Sequence, residues 1–199
     1  MPIKDLIRAA LLVLRRNWRV LLGQSACLLA AELALEIALF LSLGPVAGFV
    51  RVLMAPFVAG VLLSAAHSAA KGERPKLRTA VAHAARAWPA LLSVAAATYA
   101  GLLVFGLGVV ATSTLFLFSP LCVMLGKGPR EALRISLELV AQRPLQMCLL
   151  NLVLGAAYYG SYLVPFVGPL LAPVVSALLL AQTFERLSAA HSQLAPSHV

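Results

Sequence analysis

The chain has 199 residues, of which 61% are hydrophobic and 12% charged, with a mean hydropathy of +0.93. A soluble protein carries about 25% charged residues, so an ordinary soluble domain is excluded. The net charge of +9 would suit nucleic acid, but the cations flank apolar runs, which points to a membrane surface instead.

The first segment, residues 3–19, has the periodicity of an amphipathic helix. Lys4, Arg8, Arg15 and Arg19 share one stripe, and Ile3, Ile7, Leu11, Leu14 and Trp18 form the next. Such a helix lies in the membrane interface, with Trp18 at the boundary. A first span follows at about 20–42, a turn at Gly44-Pro45, and a second span at about 46–67. Residues 1–35 have the outline of a signal peptide. The apolar run continues past Glu32 and Glu36 to Leu43, so an uncleaved first span is expected.

Residues 71–88 repeat this arrangement. A shift of 70 aligns Lys4 with Arg74, Arg8 with Arg78, Arg16 with Arg86 and Trp18 with Trp88. Pro89 is placed to open the next helix. Residues 87–126 contain no Asp, Glu, Lys or Arg, enough for two spans, at about 89–106 and 109–126. A third basic segment, 127–143, aligns with the second by a shift of 56, pairing Arg74 with Arg130 and Arg78 with Arg134. Residues 144–184 are again uncharged and provide spans at about 145–163 and 168–184. The segment 187–199 is expected to be a mobile tail.

The expectation is therefore an all-α membrane protein with a single domain, 1–186. Six transmembrane helices form three hairpins, and amphipathic helices lie at one interface. Each even-numbered span carries a proline after a small residue: Pro56, Pro120 and Pro173. Every basic cluster falls on one side and the opposite turns carry no charge, which places both termini in the cytoplasm.

Glu32, Glu36 and Arg51 are the charges inside the predicted spans. A charge at mid-membrane costs at least ~2.5–3.5 kcal/mol on insertion scales, so each needs a reason. Around a turn near Gly44, Glu36 faces Arg51, and a structural ion pair is expected. Glu32 faces Ala55 or Pro56, where the sequence puts no cation. It is the candidate proton or cation site of a transport path, with Gln24 and Asn151 as further polar groups. Cys27, Cys122 and Cys148 lack metal-ligand spacing, and His67 and His83 read as headgroup-level polar residues. No phosphate-binding loop, nucleophile elbow or zinc motif is present, so no catalytic, cofactor-binding or metal-binding residue is assigned. The candidate lipid-headgroup contacts are Arg8, Arg15, Arg19, Arg74, Arg78, Arg130 and Arg134.

The stretches "RAALLVLRRNWRVLL", "AAKGERPKLRTAVAHAARAWPALL" and "LFLFSPLCVMLGKGPREALRISLELV" resemble a bacterial membrane-protein superfamily. It includes the membrane domain attached to some glycerophosphodiester phosphodiesterases, together with stand-alone relatives. The resemblance implies a six-helix protein of the bacterial cytoplasmic (inner) membrane without a catalytic site of its own. The phosphodiesterase domain is not among these residues, so that activity does not carry over. The expected role is a non-enzymatic scaffold or accessory subunit that engages anionic lipid or a membrane-protein partner. A small transporter or channel built around Glu32 is the alternative.

Overall fold

The computed structural model describes residues 3–43, 47–100, 107–161, 163 and 167–194. Among them are eight helices and no strand: α1 (Ile3–Leu43), α2 (Ala47–Ala70), α3 (Leu77–Tyr99), α4 (Leu107–Leu115), α5 (Ser119–Met124), α6 (Pro129–Ala141), α7 (Pro144–Ser161) and α8 (Val167–Leu194). Three of these, α1, α2 and α8, are long and apolar enough to cross a membrane. The number rises to four if α6 and α7, which meet at a bend of 109°, count as one broken span.

The expected separation of interfacial helix from span holds at one of the three basic segments. α1 runs without interruption from Ile3 to Leu43, because no proline breaks it and Gly23 is its one glycine. At 41 residues it is about 60 Å long, twice the ~30 Å hydrocarbon thickness. α3 likewise runs through Trp88 and Pro89, so Pro89 sits inside a helix rather than opening one. The third segment does form its own helix, α6, which starts at Pro129 and turns sharply into α7.

The fourth expected span, 109–126, is broken. α4 ends at Leu115, a turn covers residues 116–118, and α5 begins at Ser119. Pro120 causes this, since it has no N–H for the preceding turn and favours the first positions of a new helix. Ser136 of α6 fills the gap: its hydroxyl accepts from Phe118 N–H at 3.1 Å and donates to Leu115 O at 2.9 Å. Pro56 and Pro173, the counterparts of Pro120 in the expected repeat, lie inside continuous helices. Beside Pro56, Leu53 O accepts a bond from Trp88 Nε1 at 3.2 Å, which ties α2 to α3.

The two basic turns are built alike. After α2, Gly72 at φ +81° lets Gly72 N–H reach Ala69 O and Glu73 N–H reach Ser68 O. After α5, Gly126 at φ +86° lets Gly126 N–H reach Val123 O and Lys127 N–H reach Cys122 O. Both are Schellman caps, which satisfy the last helix carbonyls and need the left-handed glycine. A proline follows three residues after each glycine, at Pro75 and Pro129. The structural repeat therefore pairs Gly72 with Gly126, a shift of two residues from the register in which Arg74 matches Arg130.

α2 is the central element and packs against α1, α3, α5 and α8. Its buried residues crowd toward its C-terminal end, from Gly60 to Ala69. Gly60 allows the closest approach there: a Cβ at that position would meet Leu91 Cδ1 at 2.7 Å and Met124 Sδ at 3.2 Å. The buried stripe of the α1 basic half is Leu6 and Ala10, continuing to Leu21. The expected stripe of Ile7, Leu11 and Trp18 is exposed instead, and lies beside the cations. The far half of α1 and the outer face of α7 also present bare apolar side chains, with Leu41 81% and Leu145 86% exposed. α8 continues to Leu194 with Leu187 buried, so the expected tail begins inside a helix.

Candidate functional site

Glu32 lies where the hairpin arithmetic puts it. It lines a cavity of about 220 Å³ with Ala55 of α2, and Ser25 lies two turns before it on the same face of α1. Tyr158 and Ser161 at the end of α7, and Pro169 and Pro173 of α8, close the other sides. Ser25 Oγ donates to Leu170 O at 3.0 Å, which holds α1 against the start of α8. The Ser161 hydroxyl donates to Tyr158 O at 2.6 Å and so is directed at its own helix. Glu32 is half-buried and has an interaction of its own, as does Glu36. The side chain of Arg51 lies outside the described residues, and with it the expected pair with Glu36. The cavity is smaller than the roughly 300–1,000 Å³ of ordinary small-molecule sites.

Gln24 and Asn151 do not join this cavity. Gln24 Nε2 donates to Pro75 O at 3.2 Å, pinning the α2–α3 turn to α1, while its buried Oε1 has no partner among the described residues. Asn151 Nδ2 donates to Ser113 Oγ at 2.8 Å and to Thr114 Oγ1 at 2.9 Å, joining α7 to α4. Gln24 ties a helix to a turn and Asn151 ties two helices, a use expected of amides in an apolar bundle.

His67 is not the headgroup-level residue that its position near the basic cluster suggests. It is buried on α2, with Nδ1 3.2 Å from Glu185 Oε1 on α8. That oxygen lies off the hydrogen-bond direction, and neither ring nitrogen has a directed partner among the described residues. The contact depends on α2 and α8 running side by side. His83 is exposed.

Arg8, Arg15, Arg19, Arg74, Arg78, Arg130 and Arg134 are all exposed. Arg19 lies over the Trp18 ring, 5.4 Å from its centroid. Arg134 Nε is 3.6 Å from Glu138 Oε1, and Lys127 Nζ is 2.8 Å from Glu131 Oε1, both pairs one helical turn apart and open to solvent. Such pairs contribute about 0.3–0.5 kcal/mol each and leave the cations available. Between the end of α2 and the start of α3 lies a second recess, of about 410 Å³, lined in part by Arg74, Lys76, Ser68 and Thr79. Sequence reasoning named Arg74 for this region but missed the hydroxyls. Their signal was the i, i+4 spacing of Ser64 and Ser68 just before the Gly72 turn.

Among the described residues, no three His, Cys, Asp or Glu side chains gather as a metal-ion site. No family model, curated protein or solved structure matches the chain.

Proposed function

We propose that this chain is a non-enzymatic integral membrane protein of a bacterial cytoplasmic membrane. It acts as a scaffold or accessory subunit, with both termini in the cytoplasm. α1, α2, α3, the broken pair α4–α5, α7 and α8 make six passes, and α6 lies at the interface. The basic residues at the cytoplasmic side engage anionic headgroups and orient a membrane-protein partner.

One observation carries this reading. Exposed cations and exposed large apolar side chains alternate on the same surface of α1, where Lys4, Arg8 and Arg15 adjoin Ile7, Leu11 and Leu12. In water that surface would be costly. At a bilayer interface the leucines enter the acyl region and the cations remain with phosphate, each contributing about 1 kcal/mol near an anionic surface. Reconstituting the purified protein in nanodiscs of varied anionic content, and identifying copurified lipids and proteins by mass spectrometry, tests the proposal. Enrichment of anionic lipid, or of a stable protein partner, supports it. A lipid composition equal to the bulk membrane, with no partner, overturns it.

The Glu32 cavity favours a second reading, a small transporter or channel for protons or a cation. Its size suits an ion better than an organic solute. Proton and cation flux into proteoliposomes decides this. Glu32→Gln should abolish the flux if the carboxylate is the carrier site, and equal flux in the variant removes Glu32 from any path.

A further inference from the structure

Three hydroxyl-bearing residues line the recess between α2 and α3, and among the described residues none of their hydroxyls makes a hydrogen bond. Most described serines and threonines in this chain donate to a carbonyl of their own or a neighbouring helix, as Ser93, Thr98 and Thr183 do. Ser64, Ser68 and Thr79 make no side-chain hydrogen bond among the described residues, and all three line this recess. Arg74 and Lys76 line it too, both exposed, along with the carboxylate of Glu73.

The frame around these groups is held in place. Gly72 caps α2 and turns Glu73 N–H back onto Ser68 O at 3.0 Å. Gln24 Nε2 holds Pro75 O from the α1 side. Arg74 therefore sits between two anchored residues, Glu73 and Pro75. A preorganised set of donors binds with less ordering cost than a floppy one.

We infer that this recess is a headgroup site for a phosphodiester whose head carries a hydroxyl or ammonium donor, as in a glycerol- or ethanolamine-headed phospholipid. Two cations and one carboxylate give the recess a formal charge of one positive unit, which matches the single negative charge of a phosphodiester. The non-ester oxygens accept from Arg74, Lys76 and the free hydroxyls, since charge-assisted bonds to phosphate are the strong ones. Glu73 cannot bind phosphate, and its role is to accept from the donor on the head. The volume of about 410 Å³ falls within the roughly 300–1,000 Å³ of small-molecule sites. This inference rests on the membrane reading above and narrows its lipid contact to one recess.

The test uses the full chain in detergent and native mass spectrometry with added phosphatidylglycerol. Ser64→Ala/Ser68→Ala/Thr79→Val changes no charge, so it leaves general attraction to anionic lipid intact. It should lose the tightest-bound phosphatidylglycerol by about tenfold in affinity, a loss of roughly two shared hydrogen bonds. Arg74→Gln/Lys76→Gln should lose about fivefold per cation. Ser188→Ala, which removes a hydroxyl that donates to Glu185 O on α8 away from the recess, should leave this tightest site unchanged. Unchanged helical circular dichroism shows that each variant is folded. Equal affinity in the hydroxyl variant and wild type, with anionic lipid still enriched, sinks the recess and spares the broader membrane reading. No enrichment of anionic lipid in any protein sinks the recess, and if no protein partner copurifies either, it sinks the broader reading as well. Phosphatidylmethanol, a phosphodiester of the same charge whose head carries no donor, should bind more weakly than phosphatidylglycerol, and equal binding removes the role of Glu73. Displacement of the lipid by inorganic phosphate would make this a free-anion site and overturn the lipid assignment.

Discussion

Ser136 and Phe118 meet where the helix expected at 109–126 breaks. The Phe118 N–H donates to Ser136 Oγ at 3.1 Å, and the same hydroxyl donates to Leu115 O at 2.9 Å. One side chain from α6 thus satisfies the Phe118 N–H and the Leu115 carbonyl, two backbone groups that the break leaves without helix partners. Ser136 and Phe118 are both fully buried, so water cannot do this instead.

Ser136→Ala leaves a buried donor and a buried acceptor open. The expected loss is about 1–3 kcal/mol of stability. Thermal unfolding in detergent measures it, with Ser93→Ala on the exposed face of α3 as the reference. The reference should stay within about 0.5 kcal/mol of wild type. A Ser136→Ala protein as stable as the reference would show that the break does not need this hydroxyl.

Gly60 and Gly155 make a matched pair of helix glycines. A methyl group at Gly60 would push into Leu91 Cδ1 at 2.7 Å, and Leu91 is itself buried, so it can give way only by repacking its neighbours. Gly60→Ala should therefore cost about 1–3 kcal/mol by overpacking α2 against α3 and α5. Gly155 has nothing within 4 Å of such a methyl, and Gly155→Ala should be neutral or gain about 0.5–1 kcal/mol from reduced backbone entropy. Similar shifts in both variants would contradict the close packing at Gly60.

Asn151 ties α7 to α4 through Ser113 and Thr114. A double-mutant cycle of Asn151→Leu with Thr114→Val should return a coupling of about 0.6 kcal/mol, and at most ~1.7, the range of such bonds in membrane bundles. Independent effects of the two substitutions would remove the tie. Flux, if any is measured, should survive Asn151→Leu, because Asn151 lies outside the Glu32 cavity.

The proposed topology is checked by cysteine labelling. With Cys27, Cys122 and Cys148 replaced, Lys76→Cys and Arg130→Cys should react only from the cytoplasmic side. Labelling of either from outside an intact cell would reverse the proposed orientation.

Much of the secondary structure was legible in order and rough extent. Apolar length and charge spacing are local properties, and they located α2, α6 and α8 to within a few residues at most ends. Continuity was not legible. Trp18 and Trp88-Pro89 read as joints, yet α1 and α3 pass through both. Ser119-Pro120 resembles Ala55-Pro56 and Ala172-Pro173, yet it alone of the three ends a helix. A proline kinks or breaks a helix according to what else can satisfy the freed backbone groups, and those partners come from distant elements. At the candidate site, hairpin register placed Glu32 beside Ala55, because two residues equidistant from a tight turn share a depth. Gln24 and Asn151 were assigned to the same site from polarity alone, and tertiary packing sent each elsewhere.

The sequence by itself determined that the chain is helical and mostly apolar, and that its cations gather mainly in three clusters, because hydropathy and periodicity act within one segment. Tertiary structure decided which polar groups meet. Ser136 with Phe118, His67 with Glu185, and Asn151 with Ser113 and Thr114 are set by helices packing side by side. The physical reason is range. Helix formation is decided over a few residues, whereas a hydrogen bond or a recess between helices depends on a rotation and a register that no single segment contains.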